Sequence, residues 1–456
     1  MEKISRKGEI WSALSIGVGV ILRLFYVAFS SIYDRQYDIG MMDLDAGHTV
    51  SGGHLAYIQY LYHNLSLPDM DPTTVYQFHH PPLHHFISAL WMRFLGLFVS
   101  DTSVLAESIQ IVPFVCSVVI LIFAYKILKE FDISPKARAF ALMILSVHPS
   151  LILLSGSVNN DAMALMFSFM VIYYALRWAK DYRFKDILKM ALCLGLGIST
   201  KQNVAELAFP LALLFLYVFV RCFRKKATGL RMGKLIKEYA LFLLISVPLG
   251  MWFYIRNLLK YNMSMLWVYE LPKDSWQYTG NIPLINRFLW PIPSEILDNI
   301  LHFKMGCGYN VWVQITRTSV LGEWDMASVP SGIKLVAVLL MMMGAILAAV
   351  AFINFVRVFA TGYVKRKGKR LSMSSRILFL SGYVTIMVFY LVFVYKYPQQ
   401  CSMHFRYIEI LLLFPLVALG YRMDLMKSRF ERMLVRLLLV VFSVLSLIMT
   451  IVWCLV

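Results

Sequence analysis

The chain has 456 residues, of which 59% are hydrophobic and only 15% are charged. Soluble domains carry about 25% charged residues, so this composition excludes a soluble enzyme, a disordered protein and a conventional nucleic-acid-binding protein. The formal net charge of +18 is interpreted through its distribution, because in membrane proteins the positions of Lys and Arg determine orientation.

Eleven long apolar runs recur along the chain, most of them near the ~20 residues that a helix needs to cross the hydrocarbon layer. Only helices satisfy their own backbone hydrogen bonds at this hydrophobicity, so the sequence predicts an all-α polytopic membrane protein with about eleven transmembrane helices. The first run is too long for a cleavable signal peptide, and no small-residue cleavage site follows it. The predicted spans are 10–31, 104–128, 137–156, 161–178, 187–200, 204–221, 238–258, 331–356, 376–395, 407–421 and 433–455, of which the fifth and tenth are short.

The distribution of Lys and Arg predicts the orientation of these spans. With a cytoplasmic N-terminus, the segments on the cytoplasmic side hold 31 Lys and Arg, and the outer segments hold 12. Cationic loops are retained in the cytoplasm, so we expect an integral multi-pass protein with a cytoplasmic N-terminus and an outer C-terminus. Basic loops such as 365–367 are expected to meet anionic lipid headgroups, although plain topology signals would have the same composition. The lack of an added soluble domain favours a bacterial plasma membrane.

Two outer segments, 32–103 and 259–330, are each about 70 residues long and far exceed an ordinary loop. Both are rich in Trp, Tyr, Pro and His, as surfaces at a membrane interface are. The apolar stretch 83–99 is short, and counting it as a span would invert every later loop against the charge pattern. We therefore interpret it as an interfacial helix and expect one membrane-embedded domain over 1–456, with interfacial helices in its first large outer segment.

The first outer segment concentrates groups that can do acid–base chemistry. Asp38, Asp43 and Asp45 follow the first predicted helix, and His54 follows a Gly-Gly pair. Three carboxylates and a histidine are also what a solvated loop contains, so both interpretations stay open at this point.

A histidine-rich turn closes the first outer segment before the interfacial helix. Residues 77–85 read Gln-Phe-His-His-Pro-Pro-Leu-His-His, and the two prolines stop any helix before the apolar run that follows. The histidines could ligate a metal, but the prolines between His80 and His84 make a shared helical face doubtful. The six cysteines contain no CxxC, and only Cys307 and Cys401 share the outer compartment where a disulfide could form. We expect no metal site.

Further polar groups interrupt the apolar runs at the outer ends of later predicted helices. Each alone could be a helix cap or a solvated loop. Ionisable residues near membrane depth are costly and usually functional, with a partner nearby, and all of these groups fall on one face of the membrane. Their convergence predicts a site that holds both carboxylates and cations. The groups are Ser155–Asp161 with Asn160 and Asp161, Thr200–Asn203 with Lys201, Arg256–Asn257, and His404–Tyr407 with Arg406.

The order of these motifs resembles the GT-C superfamily of integral-membrane glycosyltransferases, and more narrowly its family 39-like members, relatives of protein O-mannosyltransferases and lipid A aminoarabinose transferases. The resemblance covers roughly residues 10–421. It departs from the family pattern at Ile39, which follows Asp38 where the family often has an Asp-Glu pair, so Asp43 and Asp45 are alternatives to Asp38. The motifs are Gln-Tyr-Asp-Ile-Gly, His-Pro-Pro-Leu, Asn-Asn-Asp, Thr-Lys-Gln-Asn and His-Phe-Arg-Tyr-Ile.

The resemblance implies inverting transfer of a hexosyl or pentosyl group from a polyprenyl-phosphate donor to an acceptor hydroxyl on a lipid, glycan or protein, at the extracytoplasmic face. Inversion needs a carboxylate opposite the leaving phosphate, and we expect Asp38 in this role with Asp161 as a second acid. Cations would stabilise the phosphate as its negative charge grows. If they suffice, no cofactor is required, and a divalent metal is a lesser expectation. The expected donor-phosphate and substrate-binding residues are His80, Lys201, Arg256, Arg406, Asn160, His54 and His404.

Two other classes of protein could carry polar groups among many helices. A polytopic transporter or lipid flippase often has two related halves and broken helices near the midplane, whereas this sequence has no visible repeat and its polar groups lie at outer helix ends. A non-catalytic assembly subunit would not require Asp38 or the arginines. Substitution of Asp38 distinguishes these classes from an enzyme.

Overall fold

The computed structural model describes residues 2–33, 37–38, 52–225, 230–293, 300–302, 308–362, 371–426 and 428–455, with side chains from residue 9 onward apart from that of residue 425. Within these ranges the regular structure is helical, and an isolated antiparallel bridge joins Tyr278 to Gln399. The predicted fold class, an all-α polytopic membrane protein, is confirmed.

The long apolar helices follow the predicted spans closely. In the described part of the chain, nine helices, counted with adjoining 3₁₀ or π turns, are long and apolar enough to cross a membrane. Their facing sides form a large hydrophobic core in which Phe169 and Trp178 are buried. In chain order the helices are α1 (Glu2–Phe29), α2 (His54–Asn64), α3 (Leu83–Leu95), α4 (Thr102–Glu107), α5 (Ile111–Glu130), α6 (Pro135–Val147), α7 (Pro149–Leu154), α8 (Asp161–Asp181), α9 (Phe184–Ile198), α10 (Ala208–Phe223), α11 (Met232–Tyr261), α12 (Leu284–Phe288), α13 (Val311–Leu321), α14 (Ser331–Phe355), α15 (Met373–Lys396), α16 (Leu413–Leu425) and α17 (Arg429–Leu455).

The two remaining predicted spans are shorter than a membrane crossing. Helix α9 has 15 residues, a rise of ~22 Å against the ~30 Å of a hydrocarbon layer. The predicted span 137–156 is divided at Pro149 into α6, with 13 residues, and α7, with 6 residues. Proline lacks the N–H that would continue the helix, which explains the break. The number of about eleven spans is therefore not confirmed and stays a prediction.

A buried arginine satisfies backbone groups that this break exposes. Because Pro149 has no N–H, the carbonyl of Leu145 loses its helical partner. Arg23 of α1 donates to the carbonyls of Leu145 at 3.2 Å and Ser146 at 2.8 Å, and to Ser117 Oγ at 2.6 Å. Polar groups inside a bilayer must find partners within the protein, so this contact fastens α1 to the end of α6.

The first outer segment has a small hydrophobic core of its own. Leu55 and Ile58 of α2 and Ala89 of α3 are fully buried, and they pack together with Ile109, just before α5. Helix α3 confirms the expected short helix within 83–99. Because this core includes residues next to a spanning helix, it places α2 and α3 at a defined position beside the membrane-embedded bundle.

The second outer segment is tied to the stretch that precedes α16. Thr279 donates its backbone N–H to the carbonyl of Pro398 at 2.8 Å, and Gln400 donates to the carbonyl of Gln277 at 2.8 Å. The chain then continues as a 3₁₀ helix over Phe405–Leu412 before α16 begins. These contacts fix the segment just before Phe405–Leu412, next to the predicted site residues.

Candidate functional site

The site is built around Asp38, which lies shortly beyond the end of α1. Its backbone φ is 63°, in the left-handed region that Asp tolerates better than most residues. The preceding Tyr37 is fully buried, its hydroxyl lies 2.8 Å from Ser150 Oγ, and it donates to the carbonyl of Thr318 at 3.1 Å. Tyr37 therefore anchors this part of the chain to α7 and α13 and determines where the Asp38 carboxylate lies.

The Asp38 carboxylate is held by the guanidinium of Arg406. Nη2 of Arg406 donates to Oδ1 at 2.7 Å, and Nη1 bonds to Oδ2, which is the bidentate geometry that favours Arg–carboxylate pairs. Burial raises the pKa of Asp38, but the charge of the Arg406 guanidinium opposes burial, and the pKa lies well below its usual range. Asp38 is therefore ionised in this arrangement.

A second acid shares the same arginine. Asp161 is the first residue of α8, is 5% exposed, and has Oδ2 3.4 Å from Nη1 of Arg406. Lys201 forms an ion pair with the other oxygen, Oδ1. Two carboxylates and two cations thus form one connected group, in which each negative charge is offset by a positive one.

Asn159 joins the two acids directly. Its side-chain Nδ2 donates to Oδ2 of Asp38 at 3.1 Å, and its Oδ1 accepts the backbone N–H of Asp161 at 3.0 Å. Asn159 is fully buried. A neutral amide that donates to one acid and accepts from the other's backbone fixes the spacing between them without adding charge.

Aromatic rings flank the two cations. The guanidinium carbon of Arg406 lies 5.5 Å from the ring centre of Tyr37 and 5.1 Å from that of Tyr407. The Lys201 ammonium lies 5.1 Å from the same Tyr407 ring. Cation–π contacts of this kind favour the charged forms and restrict the side chains.

A cleft adjoins this group and is lined by both polar and apolar side chains. Asp161 and Arg406 contribute to its lining, together with Asn203 and Glu206. In the described residues, Glu206 has no hydrogen-bond or ion-pair partner. The rest of the cleft is lined by Ala164, Leu165, Ser168, Leu207, Ile386, Tyr407 and Ile410. Such a cleft can hold an amphipathic molecule with an anionic head beside the cations.

The histidines of the first outer segment gather beside Asp38. Nε2 of His54 lies 3.6 Å from Oδ2 of Asp38, and its ring stacks on that of His80 at 5.6 Å. Burial lowers the pKa of His79 to about 3 and holds that of His80 well below its usual range. Both are therefore neutral imidazoles at physiological pH.

Backbone contacts explain why this turn lies here. Leu83 donates its N–H to the carbonyl of Ser199 at 3.1 Å, which attaches the Pro-Pro turn next to Lys201. Gly53 donates to the carbonyl of Tyr76 at 3.0 Å, and a Cβ on Gly52 would lie 2.5 Å from that oxygen. The Gly-Gly pair thus permits the close approach that brings the first residue of α2, His54, to the site.

Most of the predicted site residues meet, and some do not. Asp38, Asp161, Lys201 and Arg406 are in contact, with His54 and His80 beside them. The remaining predicted residues have other neighbours: Asn160 donates to the Thr200 carbonyl at 3.0 Å, Arg256 donates to the Pro68 carbonyl at 2.9 Å and to Asn257, and His404 lies 3.5 Å from Glu323. Asp43 and Asp45 lie outside the described residues.

Sequence reasoning missed Asn159 and Tyr407 as site residues. Both stood inside motifs that had been singled out, next to Asn160 and Arg406. The local turn before α8 determines that Asn159, and not Asn160, reaches Asp38. The spacing of apolar residues in the sequence contains no information about this turn. Only their position beside ionisable residues could have identified them.

Cys401 is a free thiol, and Cys307, the other cysteine that could share its compartment, lies outside the described residues. In the ranges that the structure describes, no group of three or more His, Cys, Asp or Glu side chains is placed to hold a metal ion.

Part of the chain matches a family model. Residues 79–252 match the family described as dolichyl-phosphate-mannose-protein mannosyltransferase. The match includes the His-Pro-Pro-Leu turn, Asp161 and Lys201, and it covers less than half of the chain. No curated protein matches the chain closely enough to count as a relative.

Solved structures resemble nearly the whole chain. The crystal structure of ArnT from Cupriavidus metallidurans bound to undecaprenyl phosphate has a TM-score of 0.50 and 14% identity, over 94% of this chain and 62% of that chain. The apo oligosaccharyltransferase from Archaeoglobus fulgidus has a TM-score of 0.50 and 13% identity, over 96% of this chain and 56% of that chain. The chain thus spans only about three-fifths of the length of these structures. At these identities the likeness shows a shared fold, and it is the fold that the motifs predict.

Proposed function

We propose that this chain, which has the fold of the GT-C superfamily of integral-membrane glycosyltransferases, transfers a hexosyl or pentosyl group from a polyprenyl-phosphate donor to an acceptor hydroxyl. The observation that carries the proposal is the shared arginine: Arg406 pairs with Asp38 and reaches Asp161, and both Arg406 and Asp161 line the cleft. The solved ArnT structure holds undecaprenyl phosphate, a ligand with the anionic head and apolar chain that such a cleft suits.

Donor binding would activate the base. An incoming phosphate competes with Asp38 and Asp161 for Arg406 and Lys201, because the same guanidinium fork fits phosphate and carboxylate. Once Arg406 turns to the phosphate, Asp38 loses the neighbour that depresses its pKa and becomes a stronger base. Asp38 is thus a weak base until the donor binds.

The chemistry follows from this exchange. Asp38 removes the proton of the acceptor hydroxyl while the hydroxyl oxygen bonds to the anomeric carbon from the face opposite the phosphate. The anomeric C–O bond breaks, its electron pair leaves with the phosphate, and the configuration inverts. Arg406 and Lys201 stabilise the charge that grows on the leaving phosphate. Asp161 orients the acceptor, and the step requires no cofactor.

The cellular setting belongs to the same proposal. The excess of Lys and Arg in the predicted cytoplasmic loops supports a cytoplasmic N-terminus and an extracytoplasmic site. We assign the protein to a bacterial plasma membrane, with a lipid, glycan or protein as acceptor and membrane lipids around the spans.

The test uses the full chain in lipid nanodiscs. It is offered undecaprenyl phosphate linked to labelled mannose, glucose, galactose, N-acetylglucosamine or arabinose, and release of undecaprenyl phosphate is measured for the wild type and for Asp38→Asn. We expect the wild type to consume at least one donor and Asp38→Asn to consume it far more slowly. If no donor is consumed and none raises the unfolding temperature, the proposal is wrong. Movement of an intact donor between leaflets would instead identify a flippase.

A further inference from the structure

A chain of two histidines leads away from Asp38. His54 approaches Asp38 with Nε2, and its Nδ1 lies 2.9 Å from Nε2 of His85. The two rings are nearly parallel, with centres 5.2 Å apart and an interplanar angle of 12°. His54 is 2% exposed and His85 is fully buried. At 2.9 Å one proton lies between the two rings, so the tautomers of His54 and His85 are linked.

We propose that Asp38, His54 and His85 form a proton relay, in which His54 positions Asp38 and accepts the proton that Asp38 removes from the acceptor hydroxyl. The inference rests on the proposed function. The hydroxyl O–H bond breaks as its oxygen bonds to the anomeric carbon, and the proton passes to Asp38 and then to Nε2 of His54. His85 accepts the hydrogen bond from Nδ1 of His54 throughout.

The relay addresses what happens to the proton after transfer. When the phosphate leaves and Arg406 returns to Asp38, the pair depresses the pKa of Asp38, so a protonated Asp38 has to pass its proton on before the pair can form again. Nε2 of His54 lies 3.6 Å from Oδ2 of Asp38, so the proton has a short path from the carboxyl group to the imidazole. Asp38 is then free to pair again with Arg406 after the phosphate has left.

His85 is suited to the accepting role. Burial, together with the neighbouring histidines His54 and His84, holds the pKa of His85 well below its usual range, so it stays neutral. A neutral His85 that accepts at Nε2 fixes the proton of His54 on Nδ1, which leaves the lone pair of Nε2 towards Asp38. Fixing the tautomer of a catalytic imidazole through its second nitrogen is a general device of proton-transfer sites.

Several titratable groups face this pair and bear on its pH dependence. Asp38 is the acidic neighbour of His54, and Arg406 lies beyond that carboxylate. From α2, the Tyr57 ring lies 4.6 Å from His85. The other groups are His84 beside His85, His80 stacked on His54, His79 with its ring tilted by 38° against that of His80, and Lys201, whose charge lowers the pKa of His79 and His80.

The experiment compares three variants of the full chain with the wild type, using the donor that the wild type consumes fastest. His54→Gln keeps a hydrogen-bonding side chain that cannot take up a proton, and His85→Phe keeps a ring but no acceptor. His63→Gln changes an exposed histidine of the same helix and is the matched control. Undecaprenyl phosphate, added alone, reports donor-site integrity through the unfolding temperature.

We expect His54→Gln to bind undecaprenyl phosphate normally and to lose on the order of 10²-fold in kcat. The pH profile of kcat/KM should differ between His54→Gln and the wild type, because the variant lacks the imidazole of the relay. His85→Phe should lose turnover by a smaller factor, and His63→Gln should match the wild type.

A wild-type pH profile and turnover in His54→Gln would overturn the relay while leaving the transferase proposal intact. If His54→Gln does not fold, His85→Phe provides the test instead. Unchanged turnover and an unchanged pH profile in His85→Phe would also reject the relay. A wild type that consumes no donor overturns both proposals.

Discussion

Asn159 donates to Asp38 at 3.1 Å and, with its other side-chain atom, accepts the backbone N–H at the start of α8. An amide in this position acts as a spacer between the two acids of the site. Replacing Asn159 by Ala removes both bonds, so the spacing between Asp38 and the start of α8 is no longer fixed by an amide. We expect turnover to fall by about 10-fold or more, with donor affinity nearly unchanged, because the cations are untouched.

The control for that variant is Asn64→Ala, which alters an exposed asparagine at the end of α2. Turnover of labelled donor and the midpoint of thermal unfolding should be measured for both. Equal activities in the two variants would contradict a spacing role for Asn159.

Asp38 is expected to be indispensable among the acids. Asp38→Asn keeps size and hydrogen-bonding capacity but removes basicity, so turnover should fall by ~10²-fold or more while donor binding survives. Asp43→Asn should cost much less, and Asp45→Asn should be intermediate. Asp274→Asn, at an exposed carboxylate of the second outer segment, is the control. Near-normal turnover in Asp38→Asn together with an inactive Asp45→Asn would move the assignment of the base to Asp45. If turnover survives the Asn substitution of each of the four acids, Asp161 included, the catalytic interpretation is wrong.

Arg406 and Arg256 are predicted to bind the donor phosphate. Their surroundings indicate which of the two contributes more to binding. Arg406 pairs with Asp38 at the cleft, whereas Arg256 donates to the Pro68 carbonyl and to Asn257. We therefore expect Arg406→Ala to weaken undecaprenyl phosphate binding more than Arg256→Ala. Arg406→Lys should restore binding only in part, because the fork is lost. Titration of each variant measures this, and unchanged affinity in both Ala variants would reject the prediction.

The Asp38–Arg406 pair predicts a pH-dependent stability. The pKa of Asp38 is depressed in the folded protein, so its stabilising contribution is fully present above the ordinary pKa of about 3.9 and is lost as the pH falls further towards the folded value. The difference in unfolding temperature between wild type and Asp38→Asn should therefore shrink as the pH is lowered from about 5 to about 3. A difference that stays constant over this range would show that the pair contributes nothing through ionisation.

The predicted orientation can be checked by labelling. In a background without the six native cysteines, a cysteine at Lys225 should be reached by an impermeant reagent only from the cytoplasm, and a cysteine at Trp276 only from outside. The charge asymmetry of the loops is the reason for this expectation. Labelling of both from the same side would contradict it.

The spans could be predicted well because lipid demands long apolar helices. The expected 331–356 is observed as Ser331–Phe355, and 433–455 as Arg429–Leu455. The tenth span was predicted over 407–421, yet Phe405–Leu412 is wound as 3₁₀ turns with a kink at Ile408, and α16 begins only at Leu413. Hydropathy indicates where an apolar segment lies but not how tightly its backbone is wound, so the tighter 3₁₀ turns before α16 could not be predicted.

The site could be predicted as a set of residues but not as a geometry. Ionisable groups at outer helix ends identified Asp161, Lys201 and Arg406, because such groups are too costly there without a purpose. Their pairing could not be foreseen: Arg406 meets Asp38 across 368 positions of sequence, and Arg256 belongs to a different set of contacts. Long-range pairs of this kind follow from the packing of helices, which a single sequence does not report.

The guanidinium of Arg23 fixes the position of α1 along its own axis relative to α6. Its acceptors at the end of α6 are adjacent in sequence, so a shift of α1 by one turn, about 5.4 Å, would separate the guanidinium from them and from Ser117 Oγ. Buried polar groups that lose their partners are costly, which disfavours such a shift of α1. Pro149 therefore contributes to the depth of α1 in the bilayer, because it frees the Leu145 carbonyl that Arg23 binds. The segment that leads from α1 to Asp38 begins at that depth.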